Sequence, residues 1–370
     1  MKLLYCITKA DSGGAQTHLI QLANHFSKNN EVHVIVGNKG PMLKQLDERI
    51  KVIIVENLVG PISFKEDILA IKTISQLIKK IKPDVLHFHS SKAGSVGRLA
   101  YKFSGVKKGL VVFTAHSWAF TDGVSKGKKI IYSIIEKLML TMTDKVICVS
   151  KFDENLALKY KFNAEKLTTI HNGINNKSIK FSNNNEIAKD NNLVKFVMIA
   201  RFAYPKMQKE VIEAIHLLSL YTNKNFDMTF IGDGETLEEC KSLVDSLNLN
   251  QSIKFLGNVL NARNHLCNYD VFILMSKHEG LPISIIEAMS EGLPIIASDV
   301  GGINELVLDN GNLLSNNTPK ELALTMVDYM DKKLINEKGK NSRIKFLNEY
   351  TENKMIKELE YLYGSISKKG

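Results

Sequence analysis

Residues 278–307 read HEGLPISIIEAMSEGLPIIASDVGGINELV and carry the strongest structural signal in the 370-residue chain. Pro282 suits the first position of a helix that runs through Met289, because the N–H that proline lacks would be unpaired there. A strand-like apolar run and a Gly-Gly turn follow the helix. The start of such a helix leaves backbone amides that can bind phosphate. These amides belong to Gly280, Leu281 and Ile283.

Two acids flank this helix start. Glu279 lies in the preceding loop, and Glu287 lies about two turns inside the helix. Carboxylates are poor phosphate ligands but accept hydrogen bonds from hydroxyl groups. We therefore expect them to hold sugar and ribose hydroxyls on either side of a phosphate group. The alternative, a capping acid and a surface acid, leaves Glu287 without a partner in a very apolar helix.

Outside this segment, short apolar runs alternate with amphipathic stretches along the whole chain. Such alternation predicts parallel sheets with helices on both faces. The strand-like runs are 2–8, 31–37, 51–57, 85–90, 109–117, 145–150, 195–202, 226–234, 253–259, 270–276 and 294–302. We predict an α/β protein with two Rossmann-like, doubly wound domains that face each other across a cleft. The predicted segments are a first domain at 1–172, an Asn-rich linker at 173–189, a second domain at 190–345, and a final helix within 346–370 that crosses back to the first domain.

Ligands of open parallel sheets bind beyond the carboxyl ends of the strands, and several unusual residues follow predicted strands here. Gly14 follows the first strand, where glycine lets a backbone amide approach phosphate. Arg201 and Lys206 follow the first strand of the second domain. The planar guanidinium of arginine and the mobile ammonium of lysine together suit a diphosphate. Two solvated loop cations are the alternative. His89 and His116 end two further strands and are either site residues or structural histidines.

The chain carries 49 Lys and Arg against 39 Asp and Glu, and the excess is unevenly placed. Residues 1–180 hold 28 basic and 14 acidic side chains, whereas residues 181–370 hold 21 and 25. This asymmetry favours an anionic partner for the first domain. No nucleic-acid motif is present, and the lysines between 101 and 129 lie among aromatic residues, which favours a membrane surface. A lysine-rich surface without a specific partner is the alternative, and the stretch IIYSIIEKLML at 130–140 suits either lipid or a core.

The compartment is suggested by what the sequence lacks. Its four cysteines lie far apart, which disfavours a disulfide framework and fits a reducing cytoplasm. The first residues suit a buried strand better than a signal peptide, and no apolar run is long enough to span a bilayer. We expect a cytoplasmic protein that is peripheral at the inner face of the cell membrane.

The motifs together resemble those of the retaining glycosyltransferases of family 4, the group 1 glycosyltransferases of the bacterial surface-polysaccharide type, which have the GT-B fold. Glu279 and Glu287 stand at the two positions of the family's E-x7-E motif. The other matching motifs, in order, are GGAQ, H-x-H, HS, HNGI, R…K, GDG and GGINEL. The family's arginine usually follows glycine, whereas Ala200 precedes Arg201 here.

The resemblance implies roles for individual residues. Arg201, Lys206 and the Gly14 amide would hold the diphosphate of a nucleotide sugar, with UDP favoured over GDP or ADP. Glu279 would bind the donor sugar and Glu287 the ribose. The remaining donor-side residues would be Gly232, Leu256, Gly257, Gly280, Leu281 and Ile283. The catalytic set would be His116, Glu279, Arg201 and Lys206.

The acceptor side and the chemistry are implied in the same way. The acceptor-side residues would be Gln16, His89, Ser91, Lys92 and Trp118, although Trp118 suits a core position equally well. The acceptor would be a lipid-linked glycan, and neither metal nor cofactor would be needed, since the two cations would replace a metal ion. The open alternatives are a nucleotide-sugar epimerase, a phosphorylase and a non-catalytic nucleotide-sugar binder.

Overall fold

The structure is a computed structural model that describes residues 1–121, 123–177 and 193–367. Within it the chain forms two compact units. The first contains Met1–Gly173 together with Glu352–Gly370, and the second contains Ile174–Thr351. Most of the expected linker at 173–189 lies outside the described residues.

The first unit is built on a seven-stranded parallel sheet in the order β3-β2-β1-β4-β5-β6-β7. Its strands are β1 (Lys2–Ile7), β2 (Glu31–Val36), β3 (Lys51–Ile54), β4 (Val85–His89), β5 (Leu110–Ala115), β6 (Lys145–Cys148) and β7 (Leu167–Thr169). Its helices are α1 (Gly14–Phe26), α2 (Phe64–Ile81), α3 (Ser91–Ser104), α4 (Lys126–Leu140) and α5 (Lys151–Lys159), and short 3₁₀ helices span Pro41–Gln45 and Ala164–Lys166. Every residue of β4 and β5 is buried, as expected for strands covered on both faces.

The second unit is built on a six-stranded parallel sheet in the order β10-β9-β8-β11-β12-β13. Its strands are β8 (Leu193–Ile199), β9 (Asn225–Ile231), β10 (Ile253–Phe255), β11 (Val271–Leu274), β12 (Ile295–Ser298) and β13 (Gly311–Leu314). Its helices are α6 (Gln208–Tyr221), α7 (Leu237–Ser246), α8 (Ile283–Ser290), α9 (Ile303–Leu306), α10 (Pro319–Asp328) and α11 (Lys332–Glu349), with a 3₁₀ helix at Ala262–Asn268.

The last helix, α12 (Glu352–Ser367), belongs to the first unit. Its apolar side chains join the core formed by β1, β2 and α1. These side chains are Met355, Ile356, Leu359, Leu362 and Tyr363.

The strand order reverses at one point in each sheet, between β1 and β4 in the first and between β8 and β11 in the second. Loops leaving the two strands at such a point diverge to opposite faces, which opens a crevice at their carboxyl ends. These two places are where we look for the site. No helix in the described part of the chain is long and apolar enough to cross a membrane.

Candidate active site

In the second unit, the loop after β8 is tied to the segment after β11. The Met207 amide donates to the Met275 carbonyl at 3.1 Å, and the Lys277 amide donates to the Pro205 carbonyl at 3.0 Å. These bonds place Lys206 beside Glu279, and the Lys206 ammonium forms an ion pair with the Glu279 carboxylate. Both side chains are mostly buried, which strengthens the attraction relative to a surface pair.

The loop that carries Glu279 is held by the Gly-Gly turn after β12. Gly301 has a φ of +60°, and a Cβ atom there would lie 1.8 Å from the Glu279 carbonyl oxygen. Gly302 also donates its amide to the Gly280 carbonyl at 2.9 Å. The turn therefore acts as a backbone support for the acid, and only glycine fits its closest approach.

Helix α8 begins directly after this loop. Pro282 is its N-cap residue, so the helix begins at Ile283, one position later than the sequence suggested, and no described side chain caps the helix start. Gly280, Leu281 and Ile283 border the start, with Leu281 and Ile283 largely buried. An uncapped helix N-terminus favours an anionic ligand through its amides and its dipole.

Glu287 lies inside α8, between buried neighbours such as Ile286 and Ala288. None of the described residues donates a hydrogen bond to its carboxylate. Burial raises its pKa from 4.5 to about 7, and the positive charge of Arg263 opposes this shift only in part. Arg263 itself binds Asn175 and the Lys177 carbonyl. Glu287 is therefore a partly accessible acid that lacks the hydrogen-bond donors a buried carboxylate requires.

Arg201 follows β8 directly and is exposed, and within the described chain its guanidinium has no hydrogen-bond partner. Its backbone is fixed, because the Gln208 side-chain amide donates to the Arg201 carbonyl at 2.7 Å. The result is a free cation on a rigid support at the reversal point of the sheet.

The neighbouring strand ends bring Gly232 and Leu256–Gly257 together. The Gly232 amide donates to the Gly257 carbonyl at 2.8 Å. Gly232 has a φ of +145°, and a Cβ atom there would lie 2.0 Å from the Ala200 carbonyl oxygen. Leu256 is partly exposed and Gly257 has open space around its Cα, so this edge offers an apolar surface to a ligand.

In the first unit, four histidines pack together at the ends of β4 and β5. His89 Nδ1 and His116 Nε2 are hydrogen-bonded at 3.1 Å. The His18 ring, from α1, packs against both of these rings. His87 is hydrogen-bonded to Tyr363 of α12 at 2.7 Å and to Thr114 at 2.6 Å.

Burial disfavours the charged form of the histidines in this cluster. Burial lowers the pKa of His87, His89 and His116 well below the ordinary 6.5, and nearby histidine rings lower it further. Burial also lowers the pKa of His18 to about 4, although a hydrogen bond to the Asn172 side chain limits the shift. The environment of the cluster therefore favours the neutral form of all four rings.

The hydrogen bond between His89 and His116 bears on where each ring holds its proton. His89 Nε2 is buried, with no hydrogen-bond partner in the described part of the molecule. An unpaired buried N–H is less often tolerated than an unpaired acceptor, which favours His89 with its proton on Nδ1. His116 then accepts at Nε2 and carries its own proton on Nδ1, from which it can donate to a ligand.

The expected acceptor-side residues are in different environments. His89 is fully buried and is hydrogen-bonded to His116. Trp118 is a core residue, stacked on Phe120 with its indole N–H bonded to the Asp153 carbonyl, so the core interpretation is the correct one. Lys92 is paired with Asp67 and largely buried. Gln16 donates to the Lys9 carbonyl at 3.0 Å, Ser91 begins α3, and Gly14 begins α1.

Sequence reasoning assigned no site role to His18 or Tyr363, and it noted His87 only as part of the H-x-H motif at a strand end. The position of His18 could have indicated its contact with the cluster, because α1 follows β1 and β1 pairs with β4. A histidine on the first turns of α1 therefore lies close to the H-x-H end of β4. Tyr363 gave no such signal, since its contact with His87 spans 276 positions of the chain.

The sequence matches two family models that together cover most of its length. Residues 12–177 match the model of glycosyltransferase family 4, and residues 179–352 match that of the group 1 glycosyl transferases. A UDP-Gal:alpha-D-GlcNAc-diphosphoundecaprenol alpha-1,3-galactosyltransferase from Escherichia coli is 30% identical over 345 residues, which cover 90% of this chain and 88% of that protein. The chain belongs to glycosyltransferase family 4.

Two further comparisons place this family 4 glycosyltransferase among similar proteins. The Staphylococcus aureus capsular polysaccharide biosynthesis glycosyltransferase CapH is 25% identical, with 99% of each chain covered. Anabaena HepE, solved in complex with UDP and glucose, matches with a TM-score of 0.81 at 20% identity, over 99% of this chain and 100% of that one. These comparisons and the two parallel sheets confirm the expected GT-B fold.

Within the described residues, no group of three or more His, Cys, Asp or Glu side chains is arranged to hold a metal ion.

Proposed function

We propose that this glycosyltransferase moves a hexosyl or N-acetylhexosaminyl unit from a UDP-sugar to a hydroxyl of a lipid-linked glycan, with retention of anomeric configuration. Arg201 and Lys206 bind the donor diphosphate, and Gly280, Leu281 and Ile283 border it at the start of α8. Glu279 accepts from the sugar and Glu287 from the ribose. Gly232, Leu256 and Gly257 border the base, and His116 donates to a sugar hydroxyl.

The observation that carries this proposal is the pair of acids around the uncapped start of α8. Glu279 is neutralised by Lys206, whereas Glu287 has no donor among the described residues. A ligand that brings hydroxyls to Glu287 supplies donors to this half-buried acid, while the amides and cations beside it suit phosphate. A nucleoside diphosphate combines these two chemistries in one molecule.

The proposed chemical step needs no metal ion. The acceptor oxygen forms a bond to the anomeric carbon on the face that the diphosphate leaves, through an oxocarbenium-like state. The bond from that carbon to the phosphate oxygen breaks, and the acceptor proton passes to the departing UDP. Arg201 and Lys206 stabilise the charge that develops on the phosphate, and Glu279 stabilises the cationic sugar.

The names of the relatives support the acceptor. The Escherichia coli relative is named for transfer to a diphosphoundecaprenol-linked GlcNAc, and CapH is named for capsular polysaccharide biosynthesis. A lipid-linked glycan in surface-polysaccharide synthesis, reached from the cytoplasmic face of the membrane, fits both names. The excess of lysines in residues 1–180 supports peripheral docking of the first unit on that anionic surface.

The test is donor hydrolysis over a panel of UDP-, GDP- and ADP-sugars, with EDTA present and no acceptor. We expect slow release of UDP from one or two UDP-sugars, as water replaces the missing acceptor. Release that needs added Mg²⁺, or no release from any UDP-sugar, would contradict the proposal. With a synthetic lipid-linked acceptor, the anomeric proton coupling of the product then distinguishes retention from inversion.

A further inference from the structure

Helix α4 has an unusual surface, which we call the isoleucine face. It consists of large apolar side chains that are between 39% and 59% exposed and recur three and four residues apart. These side chains are Ile130, Ile131, Ile134, Ile135 and Leu138. Exposed apolar residues are common singly, but a contiguous set on one helix face is typical of an interaction surface.

The opposite side of α4, which packs on the protein, contains a charge. Glu136 is buried and pairs with Arg98 of α3 at 2.8 Å. Arg98 is 1% exposed, donates to the Gly94 carbonyl, and lies over the Phe113 ring at 4.4 Å. The helix is thus held by a fully engaged ion pair, and removing either partner would leave a buried charge.

This orientation is the reverse of that of an ordinary surface helix, which buries its apolar side and exposes its polar one. Among the residues of α4, Leu140 is the one large apolar side chain that is buried, and Ser133 and Glu136 are the other buried residues. The buried Arg98–Glu136 pair holds its side of α4 against the protein and therefore leaves the isoleucine face outward.

The charges around the isoleucine face indicate which kind of partner can bind it. Lys126 and Lys128 are exposed, and Lys137 is partly exposed. Glu136, the acid of this helix, is buried and neutralised by Arg98. The outer surface of α4 is therefore apolar at its centre and cationic at its margin. Two copies of such a surface would repel each other, whereas anionic lipid would attract it.

We propose that α4 lies in the interface of an anionic bilayer, with the isoleucine face among the acyl chains and the lysines at the lipid phosphates. This assignment rests on the membrane docking included in the proposed function, and it names the element that enters the lipid. It also changes the expected mode of binding, because buried apolar area adds a contribution that salt does not screen.

The first test compares binding to vesicles of phosphatidylcholine with and without phosphatidylglycerol. We expect the full chain to prefer anionic vesicles, and the double variant Ile134→Ser, Leu138→Ser to bind them about ten- to a hundredfold more weakly. The matched control, Leu220→Ser with Leu260→Ser, removes two exposed leucines of the second unit and should bind like the wild type. Equal binding by the two double variants would overturn the proposal.

The second test measures how deeply α4 enters the bilayer. Trp118, the single tryptophan, is buried, so Ile134→Trp adds a reporter on α4 and Leu308→Trp adds one on the second unit. Lipids brominated on the acyl chain should quench Ile134→Trp strongly and Leu308→Trp little. Equal quenching would overturn the proposal, as would a lipid-free dimer that the Ile134→Ser, Leu138→Ser variant abolishes. UDP release without acceptor should survive in that variant, which separates failed docking from failed catalysis.

Discussion

Arg201 is exposed, rigidly supported and unpaired within the described chain, so its guanidinium is available to a ligand. If it stabilises the charge on the departing diphosphate, Arg201→Ala should reduce turnover by about 10²–10³-fold, the effect of removing one preorganised transition-state donor. The measurement is the rate of UDP release at saturating donor, with EDTA present.

The control for this variant is Lys209→Ala, which removes a nearby surface cation that pairs with Glu239. We expect its turnover to remain within about twofold of the wild type, because exposed ion pairs contribute little. If Arg201→Ala and Lys209→Ala behave alike, the diphosphate lies elsewhere.

Glu287 gives a pH-dependent prediction. Its pKa of about 7 in the folded protein lies above the ordinary 4.5 of an unfolded chain. The folded state therefore binds more protons between these values, and the stability contributed by the protonated acid is lost as pH rises from 4.5 through 7. Glu287→Gln should match the wild type at pH 4.5 and exceed it at pH 8, by on the order of 1–3 kcal/mol. Chemical denaturation at both pH values checks this.

UDP binding should lower the pKa of Glu287. Ribose hydroxyls that donate to Glu287 favour the carboxylate, so UDP binding near pH 7, where about half of the Glu287 side chains are protonated, should release up to about half a proton per protein. Calorimetry in two buffers of different ionisation enthalpy measures that release, and Glu287→Gln should abolish it. Unchanged proton release in the variant would place the ribose elsewhere.

At the residue scale, the sequence was informative where a motif is local. Glu279 and Glu287 lie on one helix and its loop, so their separation followed from helix geometry alone. The ion pair between Lys206 and Glu279 could not be predicted from the sequence, because hydrogen bonds between two separate loops create that contact. His89 and His116 were predicted as site residues, but their contacts with His18 and His87 and the contact of His87 with Tyr363 were missed for the same reason, since α1, β4, β5 and α12 all contribute to the cluster.

At the scale of elements, the predicted parallel strands β1–β6 and β8–β12 were confirmed, because strands buried on both faces form continuous apolar runs. The short edge strands β7 and β13 were missed. β7 reads LTT and β13 reads GNLL, and their pairing depends on the neighbouring strand more than on their own residues. For α4 the sequence predicted an amphipathic helix but not which of its sides packs on the protein. The contact of Glu136 with Arg98 decides this.

The Gly-Gly turn after β12 provides the prediction at this scale. Gly301→Ala would place a methyl group against the Glu279 backbone at a φ of +60°, so the turn must move or strain. We expect a loss of at least about 2 kcal/mol in stability and weaker UDP binding, since the Glu279 loop shifts with it. Gly127→Ala, on α4 with open space around it, should instead be neutral or stabilising.

Thermal unfolding of both glycine variants, with and without UDP, measures these effects. Stabilisation by UDP should be smaller in Gly301→Ala than in Gly127→Ala, because weaker binding contributes less. A Gly301→Ala protein with unchanged melting temperature and UDP response would mean that the turn does not support the acid.

At the scale of the whole molecule, the first unit is discontinuous in sequence. The chain leaves it after Gly173, forms the second unit, and returns at Glu352. The returning helix α12 is essential to the core, since Leu359 and Tyr363 are fully buried among β1, β2 and α1 side chains. The C-terminal amphipathic pattern was visible in the sequence, whereas its partners were not, because they lie more than 300 positions earlier.

This arrangement predicts that a change near the C-terminus destabilises a unit that begins at residue 1. Leu359→Ala should cost about 2–5 kcal/mol, the range for deleting a buried leucine side chain. Tyr361→Ala, on the exposed side of the same helix at 79% exposure, should change stability little. Trp118 lies in the core of the first unit and reports its unfolding by fluorescence. A lower denaturant midpoint in Leu359→Ala but not in Tyr361→Ala is expected, and equal midpoints would mean that the first unit folds without α12.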